Sequence, residues 1–574
     1  MTEVVTVDPS RIEVRREGIG GLVVINAVLD RLCFDGLIDD HLPPVSARVA
    51  LAPARAIGVL VRNLAIGRMP LYGLSHWASR YRAELLGLRP GQAGLLSDDR
   101  VGRALDVLFD ADRATMMTQL SRRAIEAFGI CVDELHNDTT SLTLYGAYHN
   151  ATGTPRAGKA PPVPAFGHSK DRRGDLKQLV ENLTVSGDGA VPMVHQLADG
   201  NTEDSTTHID TWGTCRVIVG RAEFLYVADS KLATRPNMGH IAAEGGRFLC
   251  ILPRTRTEET DGRAWLASGP IPFVEIARRP GLRRDDPPEV FSAVEAPWPS
   301  VEGYRIVWFH SSVKTVQDGA SRYERIAKAT AGLSALSASL GSPRSRLKSA
   351  QAIEEAARAV VAGAHASSWM RYQVTSQVVS TYRQAKAGRP GPDTAYRRVD
   401  RTTFGLSYWV DAARVATDAA SDGCFPMITN DRAMSQAELL RAQKAQPHLE
   451  RRHATFKGVL EATPVELKSD YRIDALAFCL YVALLVHALI ERELRRAMAD
   501  AGIAQLPLYY EDRPCTYPSA ARVLELLDPL SRTIVLHDGQ QLAVQQPSPD
   551  QLQTQILNLL GCALPHFSAS TTVQ

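Results

Sequence analysis

Hydrophobic positions in the first 129 residues recur at helical spacing, whereas beyond Ile130 they fall in short apolar or alternating runs. Leu22, Ile25, Val28, Leu29 and Leu32 cover one face of a helix. Leu37-Ile-Asp-Asp-His-Leu-Pro-Pro44 breaks that period, and a second helix is predicted over about residues 54–66. Ser97 or Asp98 caps a third, with Val101, Leu105 and Leu108 on its apolar side and Arg100 and Arg103 turned away from it. Residues 1–129 are therefore expected to form an all-α domain, whose third helix is placed either to dock on DNA as helix-turn-helix units do or simply to pack.

From residue 130 the pattern is that of strands, predicted over 130–138 and 141–145, followed by a polar loop to about residue 174. Residues 179–185 and 191–197 flank Ser186-Gly-Asp-Gly189, a hairpin signal. Phe224-Leu-Tyr-Val-Ala228 is continuously apolar, as in a strand covered on both faces. Asp229 follows at its carboxyl end, where open α/β sheets bind ligands. A strand at 248–252 closes a block spanning 130–253.

Residues 254–422 read as a strand-rich mixed insertion, with Arg/Asp/Pro-rich loops, an alternating strand at 304–310, Ala-rich helix to about residue 363 and strand-like segments to 410. A strand at 424–430, a helix carrying residues 443–457 and a core helix over about 474–498 make up a second core part, 423–500. A tail, 501–574, holds one short strand at 533–537.

A chain of 574 residues exceeds what one hydrophobic core accommodates, and roughly three or four domains are expected. The net charge of +2 conceals clustering: seven basic residues against Asp318 and Glu324 lie between Lys314 and Lys348. Such a run suits phosphate contacts or a solvated face. Eight scattered cysteines without a Cys-x-x-Cys pair argue against a structural zinc site or a disulfide framework and fit a reducing cytoplasm. The N-terminus lacks the basic and then apolar pattern of a signal peptide. The longest apolar stretch, 16 residues at 475–490, is short for a membrane span and reads as a buried core helix, so no membrane association is expected.

Candidate chemistry centres on Glu450, the only acid between Arg441 and Lys457, set among five Lys and Arg residues. On a continuous helix Glu450 and Lys457, seven apart, share a face. Asp138 and Asp229 each end or interrupt an apolar strand-like run, which suggests a three-carboxylate metal site with Glu450. Asp138 and Asp229 are 91 residues apart, whereas 221 separate Asp229 from Glu450, as an insertion between two halves of one fold would produce. Structural roles remain open at each position: a turn acid at Asp138, a helix cap at Asp229, a surface partner of Arg451 or His453 at Glu450.

Leu96-Ser-Asp-Asp-Arg-Val-Gly-Arg-Ala-Leu105, Asn137-Asp-Thr-Thr140, Gly167-His-Ser-Lys-Asp171 with Asp175-Leu-Lys-Gln178, Gly200-Asn-Thr202, Ala228-Asp229 and the segment from Glu450 to Lys457 occur in this order. Together they resemble bacterial insertion-sequence transposases of the D-D-E class, in the branch with a strand-rich insertion and a Tyr-x2-Arg-x3-Glu-x6-Lys signature. Glu450 and Lys457 match its spacing, but Gln443 and Gln446 stand in the Tyr and Arg places.

The resemblance implies an α/β, ribonuclease-H-like core in which Asp138, Asp229 and Glu450 are catalytic and hold two Mg2+ ions, or Mn2+ as a substitute. Three carboxylates suffice for such a pair, because Mg2+ takes oxygen ligands and retains waters. It implies cleavage at the ends of an insertion sequence and strand transfer to target DNA, by a homodimer holding paired inverted repeats, in the cytoplasm with the nucleoid. Lys457, Arg451, Arg452, Lys170 and Lys177 are the expected DNA contacts, with Trp298, between two prolines, as a candidate to stack on an extruded base. Another metal-dependent nuclease on the same core, or a catalytically silent DNA-binding derivative, are the alternative classes.

Overall fold

The computed structural model describes residues 11–564 except 45, 47, 48, 282, 284, 341, 343, 344 and 461–466. The chain forms two compact units, one of Met1–Cys250 with Arg441–Gln574 and one of Ile251–Leu440. Each is a mixture of helices and strands.

In chain order, β1 (Ile12–Gly18) precedes α1 (Leu22–Arg31), α2 (Phe34–His41), α3 (Pro53–Ile66), α4 (Leu74–Ser79), α5 (Asp98–Asp110) and α6 (Arg113–Phe128). The strands β2 (Glu134–Leu144), β3 (Lys177–Ser186) and β4 (Pro192–Ala198) follow, then α7 (His208–Val219), β5 (Leu225–Ala228), α8 (Arg235–Ala243) and β6 (Arg247–Ile251). Next come α9 (Thr257–Ala267), β7 (Val274–Arg279), β8 (Glu289–Glu295), β9 (Arg305–Ser311), α10 (Ser312–Leu340) and α11 (Ala350–Gly363). β10 (Met370–Gln384), β11 (Tyr396–Val410), α12 (Ala412–Ala419), β12 (Cys424–Thr429) and α13 (Gln436–Gln443) continue the chain. It ends with α14 (Gln446–Ala454), α15 (Asp470–Asp500), α16 (Ala520–Leu527), β13 (Ser531–His537), β14 (Gln540–Gln545) and α17 (Gln551–Leu559).

In the first unit the strands run in the order β4-β3-β2-β5-β6. β2, β3 and β4 are successively antiparallel, whereas β2, β5 and β6 are parallel. Parallel neighbours need crossover connections, and α7 and α8 supply them. The hairpin signal at Ser186 is realised as the β3–β4 turn. Two expected strands at 130–138 and 141–145 are instead the single strand β2, so Asp138 lies in mid-strand rather than at an end. The polar residues between them continue the ladder, Thr139 opposite Asn182 and Thr140 opposite Glu181 on β3, and the Asn137 amide just before them donates to Asn182 and Thr184.

The N-terminal helices belong to this unit rather than to one of their own, and they are not all-α. β1 pairs antiparallel with β13 from the far end of the chain. The physical reason is α15, a 31-residue helix apolar and long enough by composition to cross a membrane, yet almost wholly buried here. Helices from both ends of the chain cover it. His487 bonds the Ala65 carbonyl on α3 at 2.8 Å, Tyr481 the Ser121 hydroxyl on α6 at 2.9 Å, and Arg113 and Arg472 pair with Asp474 and Asp106. Ser97 caps α5 as expected. Leu37 does not break the helical pattern but is buried in α2 with Phe34 and Ile38.

In the second unit β12, β9, β8 and β7 are successively antiparallel. Trp308 on β9 is core, fully buried. β10 and β11 form a separate two-stranded ribbon whose base packs through Met370 and Leu406 against Leu333, Ile353 and Val361 of α10 and α11. This unit is slightly longer than the expected insertion at 254–422.

Candidate active site

β2 and β5 set the site. Their parallel register ends at His136 and Val227, and two residues further along each segment stand Asp138, still in β2, and Asp229, near enough for the Asp138 charge to act on Asp229. Asp229 stands just past the end of β5, where its carboxylate accepts the Lys231 backbone N–H at 2.9 Å. Burial raises the Asp229 pKa above the usual carboxylate range, and the charges of Asp138 and Asp204 push it the same way against the opposing Lys231 bond and Lys170 charge.

Lys170 brings a cation to these acids. Its Nζ lies 3.3 Å from Asp138 and 3.6 Å from Asp204, and also donates to the carbonyl and hydroxyl of Thr139. The loop that carries it is pinned by backbone contact. A Cβ on Gly167 would stand 2.1 Å from the Gly200 carbonyl, and one on Gly200 would stand 1.9 Å from that of Gln178. Gln178 in turn donates to the Gly200 carbonyl, and the Lys170 N–H bonds the Ser141 hydroxyl at 3.1 Å. These contacts explain the glycines of Gly167-His-Ser-Lys and Gly200-Asn-Thr. Asp204 was not foreseen as a site residue; its signal was its place two residues after Gly200-Asn-Thr202.

α14 crosses the same face of the sheet. Gln446 donates to the Asn137 carbonyl at 3.3 Å, and seven residues later His453 bonds Glu181 at 3.2 Å. Glu181 is the register partner of Thr140 on β2. Glu450 falls between these two anchors on one face of α14, alongside the stretch of β2 that contains Asp138. Its side chain is exposed. Burial alone would raise the Glu181 pKa, but the imidazoles of His195 and His453 outweigh it and hold the carboxyl at about 2. At the start of β2, burial likewise opposes the bonds from His136 and Arg441 that hold Glu134 below its ordinary value.

The expected DNA contacts separate into kinds. Arg451 is exposed. Arg452 is buried, bonding Glu491 at 2.7 Å and the carbonyls of Ala190 and Gly189, so it is committed to the fold. The expected single helix over 443–457 is interrupted: α14 begins at Gln446 with Pro447 in its first turn and passes into a π-helical turn, Thr455–Val459. Lys457 lies in that turn and pairs with Asp171 at 3.0 Å, so its relation to Glu450 is not that of a regular helix. Lys177 is half-buried at the start of β3. Trp298 belongs to the second unit, where it meets Trp265 edge to face.

A divalent cation fits the chemistry of the acids, since their carboxylates repel one another there and the Lys170 charge and the Lys231 N–H offset this in part. Among the described residues, no three His, Cys, Asp or Glu side chains already stand close enough to hold a metal ion.

Residues 14–122 match the family described as a domain of unknown function, DUF4277. No curated protein matches the chain. Among solved structures, it is similar to a piggyBac transposase synaptic complex with hairpin DNA, at 10% identity and a TM-score of 0.27 over 52% of this chain. The chain spans 63% of the length of that structure.

Proposed function

We propose that the protein is a DNA transposase of the D-D-E class, acting on the ends of an insertion sequence with a ribonuclease-H-like core. The observation that carries this reading is the charge of Asp138 felt at Asp229, beside the parallel pairing of β2 with β5. The ordered motifs of the sequence and the bond from Gln446 of α14 to the Asn137 carbonyl of β2 support it. Asp138, Asp229 and Glu450 are the residues to hold divalent cations, with Mg2+ or Mn2+ supplying activation of water and neutralisation of charge on the leaving oxygen.

The chain's own groups have distinct parts in the chemistry. Asp138 and Asp229 would present carboxylate oxygens from the sheet and its edge, and Glu450 on α14 would complete the ligand set. Water attacks the phosphorus at the element's end, the phosphorus–oxygen bond to the 3′ carbon breaks, and the 3′ oxygen leaves as a hydroxyl. That hydroxyl then attacks a target phosphate and displaces its 3′ oxygen. Paired ends call for a homodimer.

The test is incubation of the full chain with labelled duplexes carrying its element's inverted repeats and a target plasmid in Mg2+. End cleavage with joined products is expected, abolished by Asp138→Asn, Asp229→Asn and Glu450→Gln. Cleavage without joining would make it a nuclease of another kind, and binding with no cleavage a silent derivative.

A further inference from the structure

We propose that the ribbon β10–β11 is a second DNA-binding element that lies along the groove and phosphates of a duplex. Each strand has 15 residues, so the ribbon is about 50 Å long at 3.3–3.4 Å per residue. Only its base is packed: on the side of Tyr372, Val374, Phe404 and Tyr408 it meets the helices α10 and α11. From Thr375 to Gln384 and from Tyr396 to Thr403 most side chains on both sides are exposed. An apolar ribbon of that length would invite edge pairing, yet this one is strongly basic.

Residues 370–410 hold seven Lys and Arg residues against Asp393 and Asp400. The acid on the strands is engaged, because Asp400 accepts from Arg398 and from Ser380, each at 2.7 Å. These three lie on the side of the ribbon that packs at its base. By strand alternation the opposite side carries Gln373, Thr375, Gln377 and Thr381 with Arg383, Arg397 and Arg401, beside Val379, Val399 and Trp409, and no carboxylate. Arg383 and Arg397 are direct cross-strand partners. Two exposed arginines opposite each other repel, and among the described residues neither forms an ion pair with an acid. A partner that relieves this repulsion is anionic. The B-DNA major groove admits a two-stranded ribbon, and amide, hydroxyl and guanidinium groups suit base edges and phosphates.

The assignment rests on reading the protein as DNA-acting, but it uses none of the proposed catalytic carboxylates. The full chain and the variant Arg383→Ser/Arg397→Ser/Arg401→Ser are compared on a 50-base-pair duplex of random sequence by fluorescence anisotropy across a salt series. The variant is expected to bind at least about tenfold more weakly at low salt, with its salt slope smaller by about two to three, one counterion per lost phosphate contact. A charge-matched control, Arg216→Ser/Arg278→Ser/Arg358→Ser, removes exposed arginines that are already ion-paired and should lose less. Equal losses in the two variants, or none in the ribbon variant, overturn the proposal. A ribbon variant that loses self-association in sedimentation while keeping the parent slope also overturns it, in favour of a second copy as the partner. Ribbon-dependent binding by a chain that cuts no DNA leaves the inference standing and sinks the transposase reading; cutting with ribbon-independent binding does the reverse.

Discussion

Gln446 donates its side-chain amide to the carbonyl of Asn137, the residue before Asp138. The signature that this segment resembles has an arginine in that place. Here a neutral amide joins the helix of Glu450 directly to the strand of Asp138. Asp138 and Glu450 are 312 residues apart in the chain, and this bond and the His453–Glu181 bond are what bring their two elements into line.

The electrostatics of Asp229 have a consequence for stability. Its pKa in the folded state is raised, so the folded chain holds that proton more tightly than the unfolded chain does. The stability this contributes is present below the unfolded value near 3.8 and is lost as pH rises through the folded pKa. At neutral pH the carboxylate is therefore a net cost, and Asn at the same place still caps the Lys231 N–H. Asp229→Asn should melt at or slightly above the parent temperature at pH 7 without divalent ions, with the advantage gone near pH 3. A clear drop in melting temperature at pH 7 would make Asp229 a structural carboxylate.

Much of this site was legible in local pattern, and what was not depended on packing across the chain. The continuous apolar run before Asp229 correctly marked a strand buried on both faces, and Ser186-Gly-Asp-Gly correctly marked a hairpin. Thr139-Thr140 looked like an interruption because their partners on β3, Asn182 and Glu181, lie beyond a long loop. Arg452 looked like a phosphate contact because nothing near it in sequence shows that Glu491 and the Gly189 carbonyl converge on it. The N-terminal helices looked autonomous because their own periodicity hides that their apolar faces cover α15. Asp204 was passed over as one more loop acid until Lys170 joined it to Asp138.

Neighbouring arginines should respond oppositely to truncation. Arg452→Ala leaves Glu491 buried with its closest cation gone, which costs about 3–5 kcal/mol by the usual penalty for breaking a buried pair. Arg451→Ala removes an exposed side chain and should change stability by no more than about 0.5 kcal/mol. Urea unfolding of both, beside DNA titrations, separates the roles. Unchanged unfolding of Arg452→Ala with weakened DNA binding would restore the phosphate role to Arg452.

Acid should weaken the first unit through His208, whose ring contacts the Tyr226 hydroxyl beneath the sheet. Burial lowers its pKa to about 4, with the Asp204 charge opposing. The unfolded chain takes up this proton below about pH 6.5 while the folded chain does not, so stability is complete above that pH and declines down to about 4. The full effect is at most about 3.5 kcal/mol, at about 1.4 kcal/mol per unit. His208→Gln should flatten the fall in melting temperature between pH 7 and 4.5 by this proton's share. An equal fall in parent and variant would show that the ring is not excluded from protonation.

The sharpest discrimination concerns Lys170, expected from sequence to touch DNA and found between Asp138 and Asp204. If its role is to neutralise the acids, Lys170→Met leaves three neighbouring carboxylates with no internal cation, and their repulsion penalises the folded state. The variant should then melt below the parent without divalent ions. Mg2+ or Mn2+ should stabilise it more than the parent, because a cation bound only by the folded state adds stability as its occupancy rises. Lys170→Met/Asp204→Asn, which removes one acid along with the lysine, should recover most of the loss. A lysine that served only as a phosphate contact would give another pattern. Its removal would leave the melting temperature and the divalent response unchanged, and lower the salt slope of DNA binding by about one. Both patterns read from the same three proteins, and the double variant makes the distinction independent of DNA, since only a lysine acting on Asp204 has its loss repaired by that acid's removal.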